Sequence, residues 1–442
     1  MRLPRLAAGA VGIAALAFLF RLPPPPPFRS APPPRPPLDA GPAALAIPPD
    51  AVVAEDAAAL ARLLADPSGP TSIWLRARVY EGDFVVERPL ALHGTLGATL
   101  RGTGHGTVLS VDANDVTIDN LAIEHSGRRH TTEDGGVHVK GARIRLTRLS
   151  VADVLFGISL GPCESCLVER ARVEGLADTP ELQGDAIKLW ESSDSIVRGC
   201  VVDHARDVVV WYSRRVLLED NTVRHSRYGT HFMYAHDSIV RGSVIEDDVV
   251  GIFVMYSARL RAEGNVLAGA RGAAGVGIGF KESDGVQVKD NWIVANTTGV
   301  YLDRTPRSAA SPVAFDHNVL ALNDVAARFL GAEEGLSFTD NDFRDNVVAA
   351  EVEGGGDALS TRFAGNTWSD YVGYDLDHDG RGDVPFQIRR LSGELTDAHP
   401  ALRFFTGTGA MGLIEVIARA VPVLASHLLL EDRSPRVAMG GT

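Results

Sequence analysis

Short apolar runs separated by turn residues recur along most of this chain. The repeat is clearest where Gly229–Tyr234 (GTHFMY) is followed by Gly251–Tyr256 (GIFVMY), 22 residues later (251 − 229 = 22). A repeat of this length is too short for a domain and too long for a heptad, and it suits one coil of a stacked solenoid. Eight such runs can be aligned from Val137 onward, beginning at residues 137, 158, 187, 208, 230, 252, 278 and 300.

Within each run the first and third positions are almost always apolar. Side chains on a strand alternate between its two faces, so these two columns are predicted to form the packed interior. The second and fourth positions are then predicted to face outward. The outward positions carry His138, Lys188, His231, Phe253 and Tyr301 in one column and Lys140, Trp190, Trp211, Met233, Met255, Lys281 and Asp303 in the other.

Asparagine recurs at one phase of the later repeats, usually one residue after Asp or Gly and just before a strand. The positions are Asn265, Asn291, Asn318, Asn341 and Asn366. Stacked asparagines can hydrogen-bond between coils, each contributing about 1 kcal/mol. They can also simply tolerate a turn conformation. Both interpretations predict the same fold.

The predicted fold is all-β, a right-handed parallel β-helix of the pectate-lyase type over residues 48–400. Ala54–Ala65 (AEDAAALARLLA) predicts a short amphipathic helix that caps the first coil and covers its open edge. Residues 401–442 are predicted to form a helical tail, since Met411–Leu430 is apolar with helical periodicity and is interrupted by Pro422. Such a helix could dock on a membrane protein, lie at a bilayer surface or cap the last coil.

The first 47 residues predict export. Arg2 and Arg5 precede an uncharged apolar run, which makes residues 1–22 a signal peptide or an uncleaved signal anchor. Residues 23–47 are proline-rich and are predicted to form a semi-rigid extended linker. The chain is therefore expected in the periplasm, where a membrane association through either end is open.

Composition narrows the classes of partner. The formal net charge of −13 disfavours nucleic acid as a partner, because phosphate binding needs a basic field.

Two of the three cysteines form a Cys163-x-x-Cys166 pair without a second such pair. In an oxidising compartment a local disulfide or two buried thiols is preferred to a metal site.

The outward columns hold the first candidate chemistry. His231, Met233 and Met255 lie on one predicted face, and the coils that carry the two methionines are neighbours. Thioether and imidazole together suit Cu(I), which is a soft ion. The alternative is a protein-docking surface without metal, in which Trp190, Trp211 and Phe253 contact the partner.

An acidic stretch near residue 380 holds the second candidate. Asp375, Asp377, Asp379 and Asp383 alternate with other residues around Gly380, as in the oxygen-rich start of a calcium loop. The twelfth position, which is Glu in an EF-hand, is Phe386, so an EF-hand is excluded. A structural calcium and a plain acidic turn both remain open.

Enzymes built on β-helices are the competing interpretation. Gly104-His105-Gly106 resembles one element of polygalacturonases, but the paired-Asp and basic elements of those enzymes do not follow it. Lys281, Asp303 and Arg304 resemble a weak version of a polysaccharide lyase site. No carboxylate pair of glycosidase character stands out. The alternative function is thus a polysaccharide-binding or polysaccharide-cleaving β-helix of the lyase or epimerase type.

Several longer motifs resemble the NosD family of periplasmic nitrous oxide reductase maturation proteins, over residues from about 50 to the C-terminal helix. The motifs are Arg227–Tyr234 (RYGTHFMY), Gly251–Ser257 (GIFVMYS), Tyr301–Pro306 (YLDRTP), Asn323–Val325 (NDV), Asn366–Pro385 (NTWSDYVGYDLDHDGRGDVP) and Val421–Leu424 (VPVL). Two departures stand out. Lys188 occupies a position where such proteins tend to carry His, and the Cys163–Cys166 pair is not a family feature.

The resemblance implies an accessory protein rather than an enzyme. Such a β-helix would work with an ABC transporter membrane subunit and its ATPase, support assembly of the copper sites of nitrous oxide reductase, and receive copper from a copper chaperone lipoprotein. It strengthens a transient copper role for His231, Met233 and Met255. It also implies that the C-terminal helix docks on the membrane subunit.

Overall fold

Each coil of the chain contributes one strand to each of three parallel sheets. A computed structural model shows this arrangement and describes residues 31–176, 182–331, 334–353, 356–390, 399–405, 408 and 427–437. Strands of successive coils pair in parallel and in order, so the molecule is a parallel β-solenoid, as predicted.

The first sheet runs the whole length of the stack and ends in one antiparallel pair. In order of pairing its strands are Val52–Ala54, Ser72–Leu75, Ala91–Gly94, Thr117–Asp119, Arg145–Thr147, Leu167–Glu169, Ile196–Arg198, Leu217–Glu219, Ile239–Arg241, Arg261–Glu263, Gln287–Lys289, Val313–Asp316, Leu336–Thr339, Arg362–Ala364, His427–Asp432 and Phe386–Arg390.

The second sheet is built from short strands that follow those of the first after a tight turn. Its strands are Val79–Glu81, Thr99–Arg101, Ala122–Glu124, Ser150–Ala152, Arg172–Glu174, Val201–Asp203, Thr222–Arg224, Val244–Glu246, Val266–Ala268, Trp292–Val294, Val319–Ala321, Asp342–Arg344 and Thr367–Trp368.

The third sheet contains the aligned runs and is called the site sheet below. Its strands are Phe84–Val86, Leu109–Asp112, Gly135–Ala142, Phe156–Glu164, Ile187–Trp190, Asp207–Trp211, Tyr228–Met233, Val250–Met255, Val276–Lys281, Thr298–Asp303, Val325–Leu330 and Val348–Val352, and Ser192–Ser193 pairs with Phe156–Glu164. The predicted alignment of the runs is the observed register, for example Thr230 with Ile252 and Ile278 with Val300.

The apolar columns of all three sheets fill the interior of the solenoid. The first and third positions of the aligned runs, such as Ile187, Leu189, Ile252 and Val254, are fully buried. Neighbouring coils bury each other's apolar face, so stability comes from stacking.

The asparagine column forms a hydrogen-bonded ladder. The side-chain amide of Asn291 donates to Oδ1 of Asn318, and that of Asn318 donates to Oδ1 of Asn341, each at 2.9 Å. The ladder ends at Asp432, whose Oδ2 accepts from the amide of Asn366. The residue in the left-handed turn conformation is the one before each asparagine, for example Asp290 with φ 56°. The hydrogen-bonding interpretation is thus confirmed and the turn-tolerance interpretation is wrong.

The N-terminal helix spans Ala57–Ala65 and begins three residues later than predicted. Asp56 caps it by accepting from the Ala59 amide at 2.7 Å, and Val52–Ala54 pairs with Ser72–Leu75 as a strand instead. Leu60 and Leu64 are buried beneath the first coils. Two short 3-10 helices, His130–Thr132 and Pro400–Phe405, complete the described helical segments.

The proline-rich linker is held against the stack where the structure describes it. The Gly41 amide donates to the Arg170 carbonyl at 2.8 Å, and Arg35 forms an ion pair with Glu246. Asn120 exchanges hydrogen bonds with the backbone of Ala43. Residues 35–43 are therefore a strap across several coils and not a free spacer; residues 1–30, with the predicted signal segment, lie outside the described residues.

The C-terminal tail departs from the prediction at its last residues. Residues 411–426 of the predicted helix lie outside the described residues, but His427–Asp432 is a strand and not helix. It pairs antiparallel with Phe386–Arg390 and parallel with Arg362–Ala364, and Leu429 and Leu430 are buried at the end of the stack. Across the described residues, the helices are too short or too polar to cross a membrane.

The cysteine pair is a disulfide, as preferred from the sequence. Cys163 and Cys166 are bonded within one corner of a coil, and Cys200 is a buried free thiol.

Candidate metal centre

The site sheet aligns the outward residues of the fourth column on successive strands. Trp190 pairs with Trp211, Trp211 with Met233, and Met233 with Met255. The next residue is Lys281, whose ammonium lies 3.6 Å from Asp303. The predicted column therefore exists, with its two thioethers on adjacent strands.

His231 and Met255 come together across two adjacent strands. The Nε2 atom of His231 lies 3.3 Å from Sδ of Met255. On the other side of the ring, the indole N–H of Trp211 donates to Nδ1 of His231 at 3.4 Å. Because that nitrogen accepts, the neutral ring carries its proton on Nε2, directed at the thioether.

Aromatic rings cover His231 so that only 6% of the residue is exposed. Tyr228 stacks on it at a centroid distance of 4.8 Å, and Trp211 meets it edge-on at 5.6 Å. Phe253 lies 5.9 Å from Tyr228. The ring was predicted to be solvent-facing; it does point away from the solenoid interior, but its large neighbours enclose it. His231, Met255, Trp211, Tyr228 and Phe253 are called the His231 pocket below.

A glycine leaves room for one wall of the His231 pocket. A Cβ atom on Gly279 would lie 2.3 Å from Cε2 of Phe253, which is far inside van der Waals contact. With glycine there, the Phe253 ring lies flat across the next strand toward Tyr301, 6.5 Å away.

Burial and nearby positive charge keep the imidazole neutral. Burial, together with the guanidinium groups of Arg227 and Arg206, lowers the pKa of His231 to about 4. Arg227 pairs with the buried carboxylate of Asp207, and Arg206 pairs with that of Asp185 at 2.8 Å. At neutral pH the ring is therefore a neutral nitrogen ligand beside a thioether, which is a donor pair that suits Cu(I).

Tyr228 was missed by reading the sequence. The pairing of Asp207 with Tyr228 and of Val209 with His231 leaves one extra residue on the second strand, which is a register irregularity. An extra residue of this kind moves a side chain to the other face of a strand. Strict alternation from the aligned run therefore could not place Tyr228 beside His231.

The residues predicted to dock a partner belong to a wider aromatic surface. Trp190 meets Trp211 at 6.0 Å and Tyr212 at 5.0 Å. Tyr212, Tyr234 and Tyr256 stack in succession at 5.1 Å. The tyrosines directly follow the aligned runs and share a left-handed corner with φ of 51°. Tyr212 and Tyr234 are exposed, and this tyrosine stack was not predicted.

Comparison with known proteins shows a similarity to one family. Residues 174–373 match the family described as periplasmic copper-binding protein (NosD). A probable ABC transporter binding protein NosD of Pseudomonas aeruginosa is 29% identical over 82% of this chain and 87% of its own length. A protein of the same description from Stutzerimonas stutzeri is 24% identical over 81% of this chain and 85% of its own length. The chain is thus similar to NosD proteins over about four fifths of its length.

Solved structures similar to this chain share its fold. The A-module of mannuronan C-5 epimerase AlgE6 from Azotobacter vinelandii has a TM-score of 0.56 at 12% identity, covering 70% of this chain and 94% of the module. The catalytic unit of a GH87 α-1,3-glucanase from Streptomyces thermodiastaticus has a TM-score of 0.50 at 16% identity, covering 76% of this chain and 70% of its own. At these identities the likeness shows the β-helix architecture alone.

The acidic loop lies just beyond the matched NosD region. Asp375, Asp377 and Asp379 place one carboxylate oxygen each within 4.8 Å of one another. Asp383 does not join this group in the described part of the chain; it accepts from the Leu376 amide at 2.7 Å. Asp375 also accepts from the backbone of Asp379 and Gly380, so the loop is ordered by its own hydrogen bonds.

Proposed function

We propose that this protein is a NosD-type periplasmic, non-catalytic accessory subunit that holds Cu(I) transiently in the His231 pocket. The proposal rests on the 3.3 Å contact between Nε2 of His231 and Sδ of Met255. The family description as a periplasmic copper-binding protein supports it, and so does the match of that family to the residues of the pocket. Met233, in register with Met255, is the candidate third ligand.

The same proposal includes the partners. NosD relatives carry the name of ABC transporter binding proteins, which supports a complex with a transporter membrane subunit and its ATPase. In that complex the protein would receive copper from a chaperone lipoprotein and assist assembly of the copper sites of nitrous oxide reductase. Trp190, Trp211 and Phe253, extended by the tyrosine stack, would supply the docking surface.

The polysaccharide alternative has weak support in the geometry. Of the residues proposed for a lyase-like site, Lys281 and Asp303 pair with each other 3.6 Å apart. An assay of the purified chain on alginate and polygalacturonate, followed by uronate release or absorbance of the unsaturated product, tests this alternative directly.

Calcium at the acidic loop stays a prediction. Three carboxylates close together fit a hard cation that prefers oxygen ligands. A melting temperature that rises with calcium and falls with chelator, and does neither after Asp377→Asn, would support it.

Anaerobic Cu(I) titration of the full chain against a chromogenic chelator tests the copper proposal. His231→Asn and Met255→Leu should each weaken Cu(I) binding by at least about tenfold, since each removes one ligand. Met233→Leu decides whether the second thioether takes part. His105→Asn, an exposed histidine elsewhere, should leave the affinity unchanged. Unchanged affinity in both His231→Asn and Met255→Leu would remove the copper assignment and leave docking.

A further inference from the structure

A second group of metal-type ligands lies at a corner of the solenoid, separate from the His231 pocket. The carboxylate of Asp203 contacts two imidazoles at once, since its Oδ1 lies 2.7 Å from Nδ1 of His204 and 2.7 Å from Nδ1 of His225. The two rings stack at a centroid distance of 4.4 Å with 29° between their planes. Asp203, His204 and His225 are called the corner cluster.

The repeat explains why these side chains meet. Asp203 is paired with Arg224 in the second sheet, so His204 and His225 occupy the same corner position of consecutive coils. Both have left-handed backbone conformations, with φ of 49° and 54°. Coils about 4.8 Å apart therefore stack the two rings over one carboxylate.

We propose that the corner cluster binds a borderline divalent ion, Zn(II) or Cu(II). Its donor set of two imidazole nitrogens and one carboxylate oxygen suits such ions, in contrast to the thioether and imidazole of the His231 pocket. The three ligand atoms all lie within 4.8 Å of one another. Three protein ligands leave a fourth position for water or for a group of a partner.

Only small movements are needed to admit the ion. Two ligands of a tetrahedral ion with bonds of about 2.0–2.1 Å stand about 3.3 Å apart, so each 2.7 Å contact would open by about 0.6 Å. All three side chains are partly exposed.

The surrounding charges favour a cation. The same corner position in the next coil is Asp247, again with a left-handed conformation. The guanidinium groups of Arg224 and Arg35 both pair with Glu246.

Calorimetric titration of the full chain with Zn(II) tests the proposal, because Zn(II) is redox-silent and prefers nitrogen to thioether ligands. The variant is His204→Asn/His225→Asn, since asparagine tolerates the left-handed backbone that both positions adopt. It should lose one equivalent of Zn(II) or bind it at least about tenfold more weakly. Asp203→Asn should weaken binding in the same direction.

Two controls separate this site from others. His105→Asn removes an exposed histidine outside the cluster, and Met255→Leu alters only the His231 pocket; both should retain the Zn(II) equivalent. The proposal is overturned if the wild-type chain binds no Zn(II) below about millimolar concentration. It is equally overturned if the double variant binds as the wild type does, or if Met255→Leu abolishes binding instead.

Discussion

Trp211 donates its indole N–H to Nδ1 of His231 across two adjacent strands of the site sheet. The hydrogen bond sets the tautomer of the neutral ring, so the proton lies on Nε2, the nitrogen nearest Met255. A metal ion bound at Nε2 would move that proton to Nδ1. The N–H of Nδ1 would then face the indole N–H of Trp211, so two donors would meet with no acceptor between them. Copper at the proposed site would therefore break the Trp211 contact, and this cost would favour transient over tight binding.

Trp211→Phe should strengthen Cu(I) binding. Phenylalanine keeps an aromatic ring in the column but has no N–H to oppose a proton on Nδ1 of His231. The lost contact is long, at 3.4 Å, so the gain should be about two- to tenfold in affinity. Trp190→Phe, which changes the neighbouring ring of the same column, should leave the affinity unchanged. Weaker binding in Trp211→Phe would show that the indole supports the bound ion instead.

Cu(I) affinity should be nearly independent of pH between 7.5 and 5.5. Burial lowers the pKa of His231 to about 4, so protons do not compete with copper in this range. An imidazole of ordinary pKa near 6.5 would lose about tenfold in affinity over the same interval. Chelator competition at the two pH values measures this. Tyr228→Ala, which uncovers the ring, should restore the pH dependence; a tenfold loss in the wild-type chain would contradict the prediction.

The sequence was sufficient for the fold because the repeat is strict where the core is built. A one-residue slip of a strand would turn its apolar first and third side chains, such as Ile252 and Val254, outward into solvent, so only one register buries them. The spacing of the asparagine column was also readable, although the sequence left open whether its side chains hydrogen-bond or only tolerate a turn. The register of the site sheet followed from the apolar first and third positions of the aligned runs.

The parts that sequence reasoning missed depend on local exceptions to the repeat. Tyr228 reaches His231 only through an irregular register, and Gly279 matters only because Phe253 lies across it. The burial of His231 comes from the size of neighbouring side chains, which alternation does not express. The tyrosine stack and the corner cluster both occupy left-handed corners, a conformation that bulky aromatic residues enter less often than glycine or asparagine.

Asn318→Ala should destabilise the stack strongly. Asn318 donates to the Val288 carbonyl and to Asn341, and it accepts from the backbone and the side chain of Asn291. Alanine leaves several of these buried groups without partners, so the free energy of unfolding should fall by about 2–4 kcal/mol. Denaturant titration measures it. Asn296, Asn323 and Asn346 form a second, shorter ladder of the same kind, and Asn346 is its half-buried end. Asn346→Ala should lose less stability, and equal losses would argue against a special role for the interior position.

Asp248→Asn should stabilise the protein at neutral pH. Asp248 is buried and its Oδ1 accepts from the Ser226 amide, while its Oδ2 has no hydrogen-bond partner among the residues that the structure describes. Burial, reinforced by the negative charges of Asp247 and Asp203, raises its pKa well above the ordinary value. The unfolded chain releases this proton at lower pH than the folded one, so stability is present at low pH and is lost as pH rises toward the folded pKa.

Asparagine at position 248 cannot ionise, so the variant does not lose stability at this position as the pH rises. The free energy of unfolding should therefore rise by about 1–3 kcal/mol at pH 7.5 and change little at pH 4. Asp247→Asn, at the adjacent exposed carboxylate, should show no comparable gain. An Asp248→Asn protein that is less stable than wild type at pH 7.5 would mean that an ionised carboxylate is needed there.

Replacing the exposed members of the tyrosine stack should separate docking from copper binding. Tyr212→Asn/Tyr234→Asn keeps residues that tolerate the left-handed corners while removing two stacked rings beside Trp190. Clustered aromatic side chains commonly dominate an interface, at about 2 kcal/mol or more each. The double variant should therefore lower the copper content of nitrous oxide reductase in cells that depend on it, while the Cu(I) affinity of the purified chain stays unchanged. Tyr374→Asn removes an exposed tyrosine outside the stack and should leave both quantities unchanged. The double variant alters the tyrosine stack and leaves the adjacent His231 pocket intact. If it still supports full copper loading of the reductase, the stack is not needed for docking and the docking surface lies elsewhere on the solenoid.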